Sequence, residues 1–207
     1  MALLAIAVAS SASDELSAGD GQRLDAGAVV MRTRAVADFP WPETTAYRAI
    51  RATPAEVLAV YADFASQSRW VPDLVASRVL AREAPNAFRV SYEYEVAGPN
   101  ERYSVSVTVG RRGSTYDARW RLIEARYARR LTGELVVQPR GAGALAAYTS
   151  RVDPGRLGVA FGTPESVARR LSETAEALAN RVERMKTAEP AALSALVETL
   201  RTAVGSH

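Results

Sequence analysis

Hydrophobic and polar residues alternate along this chain with two different periods. From Thr163 to about Met185 (TPESVARRLSETAEALANRVERM), Val167, Leu171, Ala175, Leu178, Val182 and Met185 recur every three or four residues. That spacing is one stripe of a 3.6-residue helix. Arg169, Arg170, Glu173, Glu176, Arg181 and Glu183 take the other side. Thr163 suits the N-cap, and Pro164 suits the first helical position, where a missing N–H costs nothing. Glu165, Arg169 and Glu173 follow one another at intervals of four and add modest support. A helix this long with a single apolar stripe needs a large partner surface, and the strands predicted between residues 47 and 153 supply it.

Those strands follow one short helix. Residues 44–52 read as a first strand, and Thr53-Pro54-Ala55-Glu56 combines an N-cap, a first-turn proline and a capping box. The helix it opens carries Val57, Leu58, Tyr61 and Phe64 and ends near Ala65, before a loop over residues 66–74 that Pro72 stops. The period then becomes two. A short strand over residues 76–81 and a turn at Glu83-Ala84-Pro85-Asn86 precede residues 88–96, where Phe88, Val90, Tyr92, Tyr94 and Val96 share one face. Arg89, Ser91, Glu93 and Glu95 share the other, the mark of a half-buried antiparallel strand. After the turn at Ala97-Gly98-Pro99-Asn100, Tyr103, Val105, Val107 and Val109 alternate with Ser104, Ser106 and Thr108. A hairpin tip at Arg111-Arg112-Gly113-Ser114 leads to Tyr116, Ala118, Trp120 and Leu122, alternating with Asp117, Arg119 and Arg121. Leu131, Gly133, Leu135 and Val137 follow, ended by Pro139 and Gly141-Ala142-Gly143. A last strand over residues 144–153 groups Ala146, Tyr148, Ser150 and Val152.

Asp153-Pro154-Gly155 closes that strand, and the loop over residues 156–162 leads into the long helix. Pro190 then separates an Ala-rich helix over residues 191–204, read as an appendage (residues 188–207) to a domain spanning residues 29–187. At the other end, residues 1–28 read as a signal-like or flexible segment. MALLAIAVASSA is too short to cross a bilayer as a helix but has the core of a secretory leader, with Ala7-Val8-Ala9 as a small-x-small cleavage site. It lacks the basic stretch that normally comes first, so either the true start lies upstream or this is a poorly ordered N-terminus; export is favoured over a cytoplasmic location. Residues 13–28 read as a flexible lead-in, and residues 29–36 as either a strand or a short helix. Phe39-Pro40-Trp41-Pro42 is extended, with its aromatics packed on the body.

Composition narrows the chemistry. The 207 residues suffice for one well-buried domain, and hydrophobic and charged fractions of 48% and 24% are ordinary for a globular protein. There is no cysteine, and the single histidine is the last residue. Disulfides, thiolate nucleophiles and Cys-ligated metals are excluded, and histidine-based triads nearly so. No metal or cofactor is expected. Net charge is only +3, and the arginine pairs at 111–112, 129–130 and 169–170 are scattered, which argues against nucleic acid as a partner.

The order strand, helix, turn, meander, long C-terminal helix resembles the helix-grip fold of the START / Bet v 1-like (SRPBCC) superfamily, which includes polyketide cyclases and lipid-transport domains. Thr53-Pro54-Ala55-Glu56-Val57 opens the first helix as in many bacterial members. Asp63-Phe64 with Trp70-Val71-Pro72-Asp73 resembles the family's helix-end-to-strand segment, and Ser77-Arg78-Val79-Leu80 its second strand. Gly133-Glu134-Leu135-Val136-Val137-Gln138-Pro139 is similar to the penultimate strand, though an aromatic often stands where Leu135 does. Val152-Asp153-Pro154-Gly155 matches the turn before the long helix, where Arg156 and Val159-Ala160 depart from the usual second glycine and later proline. The likeness covers residues 44–187. It implies an α+β protein: a curved antiparallel sheet of about six or seven strands wrapped around the C-terminal helix.

The resemblance further implies an apolar cavity between sheet and helix. The inward strand faces would line it with Tyr92, Tyr94, Tyr103, Val105, Val107, Tyr116, Trp120, Leu122 and Tyr148, joined by Trp70, Phe161 and Leu171. The phenols and the Trp120 N–H are candidate polar anchors, against the alternative that these aromatics fill the core. The apolar loop Leu157-Gly158-Val159-Ala160-Phe161-Gly162 is either a gate or a plug on the first helix. The favoured reading is a monomeric, non-catalytic binder and carrier of a hydrophobic molecule (lipid, sterol, quinone or polyketide-like), with transient membrane contact compatible with it. The alternative is a cyclase or aromatase using the same cavity, for which no inward carboxylate pair is evident: Glu93, Glu95 and Asp117 fall on outward faces. An Arg-rich interaction module is a third reading, carried only by the scattered charges.

Overall fold

The alternating segments pair with one another into one antiparallel sheet. A computed structural model describes residues 16–96, 98–160 and 162–205. Its strands are β1 (Val30–Arg34), β2 (Glu43–Ile50), β3 (Leu74–Ala84), β4 (Ala87–Tyr94), β5 (Glu101–Arg112), β6 (Thr115–Ala125), β7 (Arg130–Arg140) and β8 (Gly143–Asp153). Their order across the curved sheet is β1-β2-β8-β7-β6-β5-β4-β3. The eighth strand, one more than expected, is β1. It has five residues, too few for a period to distinguish strand from helix, and its pairing with β2 decides the matter. The hairpin tips carry Gly113 and Gly141 at φ +61° and +55°, where a side chain would be strained.

Apart from one N-terminal helix, the helices stack on one face. Between β2 and β3 lie α2 (Pro54–Ala62) and a 3-10 turn over Phe64–Arg69, so the α-helix stops earlier than the sequence suggests and the expected loop begins with 3-10 turns. The Thr53–Glu56 capping box forms in both directions. After α3 (Gly155–Gly158), helix α4 (Pro164–Ala188) crosses the sheet, capped by Thr163 with Ser166 reciprocating. Its buried residues, Leu171, Thr174, Ala175, Leu178, Ala179, Val182 and Met185, follow the predicted stripe. Arg169 reaches Glu173 one turn on, at 2.9 Å.

Two terminal segments differ from the sequence reading. Helix α5 (Pro190–Val204) is part of the body rather than an appendage. Leu193, Val197 and Leu200 lie in the same core as Leu58, Phe64 and Val182. The reason lies in α2, which buries Ala55, Val57, Leu58, Ala59, Val60 and Tyr61. An element apolar on all sides must be covered on all sides; the sheet covers one and α5 another. Residues 16–28, expected to be a flexible lead-in, contain α1 (Ala18–Asp25), with a capping box between Ser17 and Asp20. Leu24 packs with Val30, Tyr47, Leu145 and Ala147. These strand residues alternate with Ala46, Ala146 and Tyr148 of the helix-covered face, so α1 covers the opposite face of the sheet. Arg140 ties it down through Asp25 at 2.6 Å and the Gly21 carbonyl at 3.2 Å. The leader-like run over residues 1–12 lies outside the described residues. Among the described residues no helix is long and apolar enough to cross a membrane.

Candidate functional site

Strand register brings the aromatic residues together. Tyr92 faces Tyr103, Val107 faces Trp120, Trp120 faces Gly133, Gly133 faces Ser150, and Leu135 faces Tyr148. The Trp120 indole lies against Gly133: a Cβ added there would come within 2.4 Å of the ring and of the Thr149 carbonyl oxygen. Tyr61 of α2 closes over this patch, with ring centroids 6.2 Å from Trp120 and 6.0 Å from Tyr148. Trp120 and Tyr148 meet edge to face at 5.3 Å, while Tyr94 and Tyr103 stack within 2° of parallel at 6.0 Å.

The helices do not fill the whole inner face. Beneath the first half of α4 a chamber of about 180 Å³ is lined by Leu131, Trp120, Tyr148, Val152, Val167 and Leu171. It shares Glu101, Ala128, Val152, Val167 and Arg170 with an outer cleft of about 530 Å³, bordered by Trp41, Tyr127, Pro154 and Gly158. Inward it shares Tyr94, Tyr103, Trp120, Tyr148 and Thr174 with a gap of only about 30 Å³, reaching Tyr61, Trp70 and Tyr92, room for roughly one water. Together the chamber and cleft fall in the roughly 300–1,000 Å³ range of small-molecule sites. Leu157 and Val159, 63% and 57% exposed, lie in and just after α3 beside the opening.

The charged groups of the chamber are Glu101 and Arg170, and the cleft adds Asp73, Glu95 and Arg169. Burial holds the phenols of Tyr61, Tyr92, Tyr94 and Tyr103 well above their usual range, and pushes Tyr148 up to about 12 despite a hydrogen bond with Tyr61. All five are therefore neutral near pH 7 and act as hydrogen-bonding groups, not charges. Arg170 lies 5.1 Å from the centre of the Tyr94 ring, donates from Nη2 to the Glu95 carbonyl at 3.1 Å, and has Nε 3.7 Å from Asp73 Oδ2. Glu101 lines both chamber and cleft. Its Oε1 accepts the backbone N–H of Tyr127 at 3.3 Å. Burial raises its carboxyl above the ordinary value, outweighing the N–H groups of Tyr127 and Ala128 and the charge of Arg126.

The twelve candidate residues divide by position. Tyr94, Tyr103, Trp120, Tyr148 and Leu171 line the chamber, and Trp70, Tyr92, Val105 and Val107 line the inner gap. Tyr116 and Leu122 border neither. Tyr116 is buried in the core with Arg111 over its ring. Leu122 sits opposite Val105 at a register shift that skips a residue of β6, which displaces the end of the strand from simple alternation. Phe161 lies outside the described residues. Glu93 pairs with Arg102 on the outer face at 3.0 Å. Asp117 shares that face but is buried, between Arg119 at 3.4 Å and Arg112 at 4.0 Å. Sequence reasoning missed Glu101, although the signal was present: positions 101, 103, 105 and 107 share one phase.

A single antiparallel sheet gripping a long C-terminal helix, with an aromatic chamber between them, is the architecture of START-like proteins. By the match of its residues 42–183 to the family model, the chain belongs to the family described as polyketide cyclase / dehydrase and lipid transport. Solved structures agree on the fold. A STAR-related lipid transfer protein from Xanthomonas axonopodis superposes with TM-score 0.65 at 19% identity, over 75% of this chain and 93% of that one. The Zhui aromatase/cyclase from Streptomyces gives 0.61 at 17%, over 77% and 98%. Human StAR-related lipid transfer protein 5 gives 0.61 at 11%, over 77% and 84%. No curated protein sequence matches the chain.

Proposed function

We propose that this protein binds a lipid or other hydrophobic small molecule between its sheet and α4, and carries it without altering it. The observation that supports this reading most is the continuity of the opening: an outer cleft with a charged rim shares five lining residues with an aromatic-lined chamber under α4 that ends at the Trp120–Tyr148 floor. Burying apolar ligand surface there gains about 25 cal/mol per Å² before the costs of binding. Tyr94, Tyr103, Trp120, Tyr148 and Leu171 contact the ligand in this reading. The inner gap, too small for more than a water, widens only if a lining side chain such as Tyr61 or Trp120 moves. The exposed Leu157 and Val159 beside the opening suit a gate or a brief membrane contact. Export through the leader-like N-terminus is part of the same proposal. The test is transfer of a fluorescent lipid between vesicles: acceleration by the protein supports a carrier, and no acceleration with any of several lipid classes opposes it.

A second reading has one specific observation behind it. Glu101, a carboxyl raised by burial, lines the chamber and is the kind of group that can exchange a proton with a bound carbonyl compound. In this cyclase-type reading the chamber folds a polyketide and the neutral phenols orient it. Turnover of a linear polyketide by the parent and its loss in Glu101→Gln would favour this reading over the carrier.

A further inference from the structure

A sheet that does not close into a barrel leaves two edges, each a row of backbone groups open to pairing with another strand. Here they are β1 and β3. The two are unlike. β1 is five residues long and ends in exposed Thr33 and Arg34. β3 runs for eleven residues and carries Val75, Val79 and Leu80, which are 54%, 43% and 53% exposed. They are half of the large hydrophobic residues exposed among those described. Edges that avoid pairing commonly set a charge or a proline in the middle of the strand. In β3 the middle is Val79-Leu80-Ala81, and the charges, Arg78, Arg82 and Glu83, flank it.

A bulge makes this stretch complementary to itself. Arg89 and Ser91 of β4 lie on the outer face of the sheet, opposite in phase to the buried Val90 and Tyr92. Arg78 pairs with Ser91 and Ala81 with Arg89, with a register shift at Leu80 between them. Arg78 and Ala81, three residues apart, therefore share the outer face. Glu83, two residues further on, is held there by Arg89 at 2.7 Å. We propose that β3 pairs antiparallel with β3 of a second copy of this chain, about a two-fold axis between Leu80 and Ala81, so that the sheet continues from one protomer into the next. In that register Leu80 of each copy meets Ala81 of the other, Val79 meets Arg82, and Arg78 meets Glu83. Two-fold symmetry makes each contact twice, so two outer-face ion pairs bracket an apolar centre. Sliding the register until Leu80 meets Leu80 would set Arg78 against Arg82, like charge on like. The pairing is independent of what the chamber holds, and it replaces the monomer that the sequence reading favours.

Sedimentation velocity of the full chain over a wide range of concentrations tests this. The expected result is a concentration-dependent species of twice the monomer mass. Leu80→Lys, which puts a charge at the centre of the edge, should leave only monomer. Arg78→Glu alone and Glu83→Arg alone should each weaken pairing roughly tenfold, because each turns both ion pairs into like-charge contacts. An equal mixture of those two variants should pair as the parent does, since Glu at 78 then meets Arg at 83 and the native Arg78 meets the native Glu83. A monomer at every concentration would overturn the proposal. A dimer that survives Leu80→Lys would put the interface elsewhere, and a mixture that pairs no better than its components would overturn the register. If Leu80→Lys does not fold, the two charge variants and their mixture decide.

Discussion

Gly133 is where the packing of the chamber is most sharply exposed to a single methyl group. An alanine Cβ there would lie 2.4 Å from the Thr149 carbonyl oxygen and 2.4 Å from Cζ2 of Trp120, whereas ordinary contact begins at 3.4 Å. Each neighbour would have to withdraw by about 1 Å, well up the repulsive wall. The carbonyl belongs to β8, which is paired along its length with β7 and β2, so the indole must do most of the moving. Gly133→Ala recovers about 0.5–1 kcal/mol of backbone entropy, but overpacking costs about 1–3 kcal/mol, and with backbone as one of the partners the steric cost wins. A fall in Tm of about 2–4 °C per kcal/mol is expected for a chain of this size. Differential scanning calorimetry gives the number, and tryptophan emission reports whether Trp120 moves. Gly19→Ala in α1, where the new Cβ meets only Ser17 Oγ at 3.9 Å, is the control and should not lower Tm. A Gly133→Ala protein as stable as its parent, with unchanged emission, would refute the packing described for Trp120.

Four further expectations are independent of that one. Leu200→Ala, in a helix the sequence reading set apart, should cost about 2–5 kcal/mol, as buried leucines do, measured by urea unfolding. Thr53→Ala should cost about 1 kcal/mol through loss of the α2 cap, by the same assay. Glu101 and Glu43 should give opposite pH signatures. Burial raises the Glu101 carboxyl, so its contribution is fully present below the unfolded value of 4.5 and is lost as pH rises through the folded one; Glu101→Gln should therefore gain stability relative to the parent as pH rises above 4.5. Burial also works against Glu43, but hydrogen bonds and charge from Arg34 and Arg151 win and hold it low. Its stabilisation is present above 4.5 and is lost as pH falls through the lowered value, a loss that Glu43→Gln should not show. If the run over residues 1–12 directs export as proposed, N-terminal sequencing of the exported protein should find a chain beginning just after Ala9.

Local signals account for most of what the sequence revealed. The strands β4 to β8 announce themselves by alternation, α4 by its stripe, and α2 by Thr53-Pro54-Ala55-Glu56. Where the signal was present but unread, it was also local: Ser17 and Asp20 cap α1, and Glu101 shares the phase of Tyr103 and Val105. What the pattern could not carry is non-local. Nothing in Leu193, Val197 and Leu200 states that their partner is α2, and the burial of Asp117 depends on arginines at positions 112 and 119 folding over it. The division of the aromatics is likewise a matter of register and helix placement. Tyr116 and Tyr148 look alike in sequence, yet one fills the core and the other faces the chamber.

The central claim is that a hydrophobic molecule occupies the passage between the sheet and α4. Native mass spectrometry of the protein purified from its own host, followed by organic extraction, tests it most directly. The account predicts a hydrophobic compound at near-stoichiometric amount, displaced when Leu171→Trp fills the chamber. A protein that comes out empty, and that then takes up no member of a panel of lipids, sterols and quinones, would contradict it.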